Sequence, residues 1–163
     1  MNREILFKAK RIDNGEWVEG NLITNERNEN QKYIGYIFDE RNGVIEDFDL
    51  VGVIPDTLCQ FTGLTDKNGK RIWENDILKF NDEVWYSCYT SCGTEYDSWE
   101  AENYGVVGYC DYSARYDFTK YKYNENQVEA DLHENHDIEF SEFVKEHEVI
   151  GNIFDNTELL EVE

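Results

Sequence analysis

Three short strands and two tight turns are encoded in residues 58–80, LCQFTGLTDKNGKRIWENDILKF. Asp66-Lys67-Asn68-Gly69 is typical of a hairpin turn in which Gly69 adopts the left-handed conformation. A second polar corner follows at Glu74-Asn75-Asp76. The apolar runs around these turns predict strands at 58–61, 72–73 and 77–80.

The residues that precede this segment show the same pattern of short apolar runs. Asp13-Asn14-Gly15 separates the first two runs, and Asn-Gly in that position favours a hairpin because both residues tolerate positive φ. Pro55 lacks a backbone donor and should end the strand before it. The predicted strands are 4–12, 16–23, 33–38 and 50–54.

The second half is more acidic and mixes strands with longer connections. We expect an exposed acidic loop at 93–104, a polar loop at 124–137 and a helical turn within 138–148. A short terminal helix is expected at 157–160, with Thr157 as its cap. The predicted strands of this half are 83–92, 105–112, 115–123 and 149–154.

These patterns predict a mainly-β fold. We expect a small barrel or a strongly curved antiparallel sheet, with an acidic insertion and a short C-terminal helix. The residues expected in the core are Trp17, Phe61, Ile77 and Ile153.

The charge of the chain is strongly negative, at −21 over 163 residues. It is also uneven, since residues 1–80 carry −4 and residues 81–163 carry −17. Such a surface repels phosphates, so neither direct nucleic-acid binding nor binding to anionic membranes is expected.

No apolar run approaches the ~20 residues that a membrane span needs, and no export signal is evident. The four cysteines, Cys59, Cys88, Cys92 and Cys110, are therefore expected to be reduced thiols in a cytoplasm.

Three stretches in this order resemble the YopX family of phage and prophage proteins. They are FKAKR at 7–11 with GEWVEG at 15–20, PDTLCQFTGLTDKNGKRIWENDILK at 55–79, and EVIGNIFDN at 148–156 with ELL at 158–160. The resemblance implies a mostly-β fold, a phage origin and a bacterial cytoplasm, and it implies no known activity.

On this resemblance the chain is expected to be a single domain over residues 1–163. Residues 1–80 and 148–160 would form the family core, and 81–147 a variable acidic insertion. The motif residues, to which we assign structural roles, are Trp17, Pro55, Gln60, Thr62, Gly63, Asp66, Gly69, Glu74, Asp76, Gly151 and Asn152.

The polar corner departs from the family pattern, which is acid-Gly-Asp where this chain has Glu74-Asn75-Asp76. Asn is the residue best able to replace Gly at positive φ, so the turn is expected to survive. We expect the Asp76 carboxylate to accept backbone N–H bonds within the corner.

Two groups of residues are candidate sites for chemistry. Cys88-x3-Cys92 has a spacing that zinc sites use, and Cys110, His133 and His136 would complete four ligands. Strand alternation, however, places positions 88 and 92 on one face without any metal. Glu74 and Asp76 would serve as an acid–base pair or a divalent-cation site, yet no nucleophile or base-orienting residue lies nearby in sequence.

The sequence also lacks a phosphate-binding loop and a dinucleotide fingerprint. We therefore predict no catalytic residue, no cofactor and no metal site, and expect a non-enzymatic protein.

The acidic second half of the chain, residues 81–163, leads to two functional hypotheses. Residues 81–104 hold six acids and no base, interleaved with Trp85, Tyr89, Tyr96, Trp99 and Tyr104. Acids alone usually form a solvated face, whereas exposed aromatic residues favour a protein partner. We expect a phage accessory protein that acts through protein–protein contacts. The alternative is a DNA mimic that inhibits a host DNA-binding protein or nuclease; homo-oligomer formation is also open.

Overall fold

The computed structural model describes residues 4–41, 44–90, 92–111, 114–123 and 140–160. The chain divides into two compact units, Met1–Gly63 and Leu64–Glu163. The strands are antiparallel and form two sheets, so the predicted mainly-β class is confirmed. The expectation of one domain over residues 1–163 stays a prediction.

The first unit is built from β1 (Phe7–Lys10), β2 (Trp17–Thr24), β3 (Lys32–Arg41), β4 (Val44–Val53) and the start of β5 (Cys59–Thr65). Their order in the sheet is β4-β3-β2-β1-β5. A short 3-10 helix, Pro55–Thr57, lies between β4 and β5. The hairpin between β1 and β2 forms as predicted, with Gly15 at φ 74°.

This sheet is strongly curved. Past the end of β1, Arg11 forms an isolated bridge with Val53 at the end of β4, and the Ile12 N–H donates to Gly52 O at 3.0 Å. Within the described residues the contact between β1 and β4 is confined to this end. The curved sheet is therefore the architecture observed, and the predicted closed barrel is not.

The inner side of the curved sheet holds a small core. Ala9, Ile34 and Val53 are fully buried there, and three partly buried side chains pack against them: Phe7, Val18 and Leu58. Alternation along β3 turns Ile34 inward, and the residues on either side of it therefore belong to the opposite face.

In the second unit, β5 ends at Thr65 and a turn leads into β6 (Arg71–Trp73). Four longer elements follow: β7 (Asp76–Thr90), β8 (Gly93–Cys110), β9 (Arg115–Tyr123) and β10 (Glu148–Asn152). They form a four-stranded sheet of order β10-β7-β8-β9. Helix α1 (Phe140–Phe143) continues into a 3-10 turn at Val144–Glu146, and another 3-10 helix spans Thr157–Leu160.

The core of the second unit is aromatic. Phe80 stacks on Phe118 with ring centroids 5.2 Å apart, and Phe143 meets both rings edge-on. The buried residues of this cluster are Ile72, Leu78, Phe80, Val107, Tyr116, Phe118, Phe140, Val144 and Val149. Packing of β7, β8, β9 and α1 around one cluster gives the unit its stability.

The predicted acidic loop at 93–104 is wrong, because these residues form the first part of β8. Their backbone pairs with β7 without a register shift, from Thr90 opposite Gly93 to Ile77 opposite Val106. Aromatic residues favour extended backbone, and the ladder hydrogen bonds of the hairpin outweigh the high charge of the segment. The variable character of residues 81–147 stays a prediction, and the loop expected at 124–137 lies outside the described residues.

Two of the four residues predicted for the core are confirmed. Phe61 is 6% exposed and Ile77 is fully buried. Trp17 and Ile153 are only half-buried, so their assignment to the core is wrong. Ile153 follows the last residue of β10, in the turn that leaves the sheet.

Candidate functional site

A buried carboxylate fixes the turn between β5 and β6. Asp66 is 5% exposed, and its Oδ1 accepts the backbone N–H groups of Asn68 at 2.8 Å and Lys70 at 2.9 Å. Its Oδ2 accepts the N–H of Val149 at 3.1 Å. Burial opposes ionisation of this carboxyl, but the three N–H donors outweigh burial and hold its pKa below the usual value. Gly69 lies at φ 79°, as predicted for this turn.

The polar corner before β7 forms around a second buried carboxylate. Asn75 lies at φ 66°, which confirms that Asn replaces Gly here in the left-handed conformation. Asp76 is 2% exposed, and its Oδ2 accepts the N–H of Trp73 at 2.9 Å. The Asn75 N–H in turn donates to Val107 O at 2.8 Å. The predicted backbone-binding role of Asp76 is confirmed.

The turn after β10 depends on two asparagines. Asn152 Oδ1 accepts the N–H groups of Phe154 at 2.9 Å and Asp155 at 3.1 Å. Asn156 Oδ1 accepts the Asn152 N–H at 3.2 Å. A Cβ on Gly151 would collide with that same Oδ1, so only glycine fits beside the turn.

The motif residues of the second unit come together although they are far apart in sequence. Strand β10 pairs with β7 so that Asn152 lies opposite Asp76 and Gly151 opposite Ile77. Asp66 reaches the same strand through Val149. Glu74, at the start of the corner, is half-buried. In this structural junction the carboxylates of Asp66 and Asp76 accept backbone N–H groups.

The remaining motif residues lie in the first unit. Lys8 and Lys10 place their Nζ atoms 5.1 Å and 5.5 Å from the ring centroid of the half-buried Trp17, so this ring makes cation–π contacts on the sheet. Pro55 opens the 3-10 helix, where its missing N–H costs nothing. On β5, Gln60 is half-buried, Thr62 is 5% exposed and Gly63 lies at φ 84°.

An open cleft of about 210 Å³ lies in the second unit, lined by Lys67, Lys79, Phe80, Asn81, Glu146, His147 and Glu148. Lys67 Nζ lies 2.9 Å from Glu148, and this pairing lowers the pKa of Glu148. Lys79 pairs with Glu102, which raises the pKa of Lys79 and lowers that of Glu102. Because both lysines have carboxylate partners, the cleft presents mixed charge and favours no single class of ionic ligand.

The candidate zinc ligands do not assemble in the part of the chain that the structure describes. Strand β7 ends at Thr90, so the predicted strand 83–92 is too long by two residues. Cys92 is exposed in the hairpin turn, whereas Cys110 is half-buried at the end of β8. His133, His136 and the Cys88 side chain lie outside the described residues. Over the described ranges, no three His, Cys, Asp or Glu side chains are grouped to hold a metal ion.

The outer side of the curved sheet in the first unit carries an apolar surface. Its five residues, which we call the apolar face, are Ile12, Ile23, Ile37, Phe48 and Leu50, exposed by 67%, 43%, 50%, 63% and 43%. The register places Phe48 beside Ile37 and Leu50 beside Gly35 on neighbouring strands. Ile37 and Phe48 therefore lie side by side on the outer side of the sheet.

Two glycines lie beneath these side chains. The space that a Cβ on Gly35 would occupy is taken by the Cδ1 atoms of Ile23 and Leu50, at 2.8 Å and 3.6 Å. A Cβ on Gly52 would lie 3.5 Å from Ile12 Cδ1. Ile23 and Leu50 therefore approach each other over Gly35, while Ile12 lies over Gly52.

Sequence reasoning missed the apolar face, although a signal for it was present. YIGYIF at 33–38 and LVGVI at 50–54 are continuous apolar runs instead of alternating ones. Such runs predict strands with apolar residues on both faces, whereas a strand with one solvated face alternates.

In the described part of the chain, no helix combines the length and the apolar character that a membrane span requires. The two antiparallel sheets define a mainly-β protein. The YopX protein family matches residues 6–161, nearly the whole chain, and this protein belongs to that family.

A solved structure with a similar fold is the crystal structure of protein EF1440 from Enterococcus faecalis. Its sequence is 21% identical to this chain, the TM-score is 0.51, and the similarity covers 98% of this chain and 100% of EF1440. At this identity the similarity concerns the fold alone. No curated protein matches the sequence.

Proposed function

We propose that this protein is a non-enzymatic phage or prophage accessory protein that acts through protein–protein contacts in the bacterial cytoplasm. The observation that carries the proposal is the apolar face of the first unit. Ile12, Ile23, Ile37, Phe48 and Leu50 of that face are each more than 40% exposed. A partner that covers the apolar face would remove this surface from water.

The free energy available from such a contact is substantial. Burying a large apolar side chain contributes about 1.5–3 kcal/mol when it passes from fully exposed to fully buried. The side chains of the apolar face are between 43% and 67% exposed, so each would contribute a fraction of that value. Phe48 and Ile37, paired across β3 and β4, are the expected centre of the contact.

The charge of the chain supports a protein partner over a nucleic acid. At −21 the protein repels phosphates, and a nucleic-acid complex would gain nothing from counterion release. A partner with a basic surface would instead be attracted over a long range.

A second candidate function rests on the β7–β8 hairpin. Residues 81–163 carry −17, and residues 81–104 of this hairpin hold six acids: Asp82, Glu83, Glu95, Asp97, Glu100 and Glu102. The backbone register places Glu83 opposite Glu100. A long acidic hairpin supports the alternative that the protein mimics DNA and inhibits a DNA-binding protein or nuclease.

Capture from bacterial lysate, with elution by rising salt, tests both proposals. The bait proteins are the unchanged chain, the double variant Phe48→Thr/Leu50→Thr and the control Tyr109→Thr, an exposed apolar residue of the second unit. Threonine keeps the preference for strand structure while it removes apolar surface.

The proposed function predicts a partner captured by the unchanged chain and by the control, lost from the double variant and indifferent to added DNA. A basic DNA-binding protein that is released by salt, competed by DNA and still captured by the double variant would favour the mimic. Capture of no protein by any bait would contradict both.

A further inference from the structure

The end strands of the two sheets carry an aspartate in the same arrangement. Strand β4 is the last strand on its side of the first sheet, and β9 is the last strand on its side of the second. End strands present backbone N–H and C=O groups to which an extended segment of another molecule can add. A second copy of the chain contains such segments, so these two edges bear on self-association.

The backbone bonds of β4 show which of its groups face outward. Gly52 O accepts the Ile12 N–H at 3.0 Å, and the Ile54 N–H donates to Lys10 O at 2.8 Å. Both bonds lie on the edge of β4 that faces away from β3. Because the backbone groups of alternate residues point to the same edge of a strand, the Leu50 N–H also points away from β3.

Asp49 caps this outward donor. Its Oδ1 accepts the Leu50 N–H at 2.8 Å, while its Oδ2 accepts the hydroxyl of Tyr36, the residue opposite it on β3, at 3.1 Å. The regular part of the edge runs only from Phe48, where the register shifts, to Gly52, whose carbonyl is already bonded. The capped N–H therefore lies at the centre of the stretch that an added strand would use.

The same arrangement recurs on β9. Val107 O accepts the Asn75 N–H at 2.8 Å on the β7 side of β8, so the next residue, Gly108, directs its backbone groups toward Asp117 on β9. The Phe118 N–H consequently points away from β8. The Oδ1 of Asp117 accepts this N–H at 2.9 Å.

In both strands one carboxylate oxygen caps the outward N–H and a neighbour holds the other oxygen. Arg115 donates to Asp117 Oδ2 at 3.1 Å, in the way that the Tyr36 hydroxyl donates to Asp49 Oδ2. Each carboxylate is thereby held where the carbonyl oxygen of an added strand would have to bind. With the N–H already bonded, an added strand would bury a carbonyl without a donor, which is costly.

The opposite edge of the second sheet is covered by another device. The Val149 N–H of β10 donates to Asp66 Oδ2 at 3.1 Å, and Lys70 Nζ donates to Val149 O at 3.3 Å. The β5–β6 turn thus lies against β10. On β4 and β9 the corresponding role falls to an aspartate of the edge strand itself.

We propose that Asp49 and Asp117, which we call the edge aspartates, block strand addition at β4 and β9 and so prevent edge-to-edge association with a second copy of this chain. The inference concerns backbone groups at the sheet edges. It is independent of the proposed function, which concerns side chains of the apolar face.

Sedimentation velocity of the full chain over a range of concentrations tests the proposal. Asp49→Val and Asp117→Val remove the capping oxygen, while valine keeps the preference for strand structure. Each variant should associate with a constant at least about tenfold larger than that of the unchanged chain, because an outward N–H becomes available to a partner strand. The double variant should associate more strongly than either.

Matched variants separate the cap from the loss of charge and the gain of apolar surface. Asp47→Val removes an exposed acid from β4, and Asp111→Val removes an exposed acid from the turn before β9. Asp49→Asn removes the charge but keeps an oxygen that accepts an N–H. All three should associate like the unchanged chain.

Circular dichroism and urea unfolding establish that each variant is folded, and Asp49→Ala and Asp117→Ala repeat the test where valine prevents folding. Association of the edge variants no stronger than that of Asp47→Val and Asp111→Val would overturn the inference. Equal association of Asp49→Val and Asp49→Asn would also overturn it, since the capping oxygen would then make no difference.

Discussion

The carboxylate of Asp66 accepts the backbone N–H of Val149 at 3.1 Å, across 83 residues of sequence. The adjacent backbone reinforces this link, because the Lys67 N–H donates to His147 O at 2.9 Å. The β5–β6 turn and strand β10 are thereby joined within the second unit. Asp66 is thus a structural residue whose partner lies near the other end of the chain.

Replacing Asp66 with asparagine should destabilise the protein by about 1–3 kcal/mol, because the amide group would present a donor where a backbone N–H needs an acceptor. Urea unfolding of Asp66→Asn measures the change. The matched control is Asp56→Asn, an exposed aspartate in the 3-10 helix of the first unit, which should change stability by less than about 0.5 kcal/mol. Equal stability of the two variants would contradict the structural role of Asp66.

The stabilising contribution of Asp66 should also depend on pH. Because hydrogen bonds lower the pKa of Asp66 in the folded state, its stabilising contribution is full above the usual aspartate pKa of about 3.9 and is lost as the pH falls through the folded-state value. The difference in unfolding free energy between the unchanged chain and Asp66→Asn should therefore be largest near neutral pH. It should shrink below about pH 4, and a constant difference would be inconsistent with an ionised Asp66.

The Asp76→Asn variant separates a structural role from a catalytic one. Asp76 is 2% exposed and binds the Trp73 N–H, so the variant should lower the free energy of unfolding by about 1–3 kcal/mol. A catalytic aspartate would tolerate the change without loss of stability. Thermal unfolding of Asp76→Asn beside Glu74→Gln, at the half-buried neighbouring acid, decides between the two roles.

The left-handed conformation of Asn75 leads to a further prediction. Because residue 75 lies at φ 66°, the Asn75→Gly variant should be tolerated. Asn75→Ala should lower the free energy of unfolding by about 1–2 kcal/mol, because the alanine Cβ opposes this conformation. Denaturant midpoints of the two variants measure the difference. Equal stability of both would show that the corner relaxes to negative φ.

Gly151→Ala should destabilise the turn after β10. The added Cβ would collide with Asn156 Oδ1, which binds the Asn152 N–H, so a cost of about 1–3 kcal/mol is expected. Gly52→Ala is the control, because a Cβ there meets its nearest neighbour at an ordinary 3.5 Å. If both alanine variants unfold at the same temperature, Asn156 has room to move and the turn does not require glycine.

Local turn chemistry made much of the fold predictable. The hairpin at Gly15, the turn at Gly69, the corner at Asn75 and the role of Asp76 all follow from which residues accept positive φ or bind nearby N–H groups. These features involve neighbours in sequence, so the sequence specifies them directly.

Features that depend on distant residues were not predictable in the same way. The link from Asp66 to Val149 joins positions that no local pattern relates. Residues 93–104 were predicted to form a loop because the segment is acidic. Their strand structure depends on pairing with β7, and that pairing is a tertiary property. Whether Phe48 and Leu50 are exposed depends on what covers the outer side of the sheet, and the identity of these two residues does not indicate it.

The most direct test of the apolar face is site-specific crosslinking in bacterial cells. A photo-crosslinking amino acid replaces Phe48 in one form of the protein and Tyr109 in the other, since both positions are exposed. The account predicts a discrete crosslinked protein from position 48 and none from position 109. Crosslinks from position 109 alone, or none from either position, would contradict the proposal that the protein acts through its apolar face.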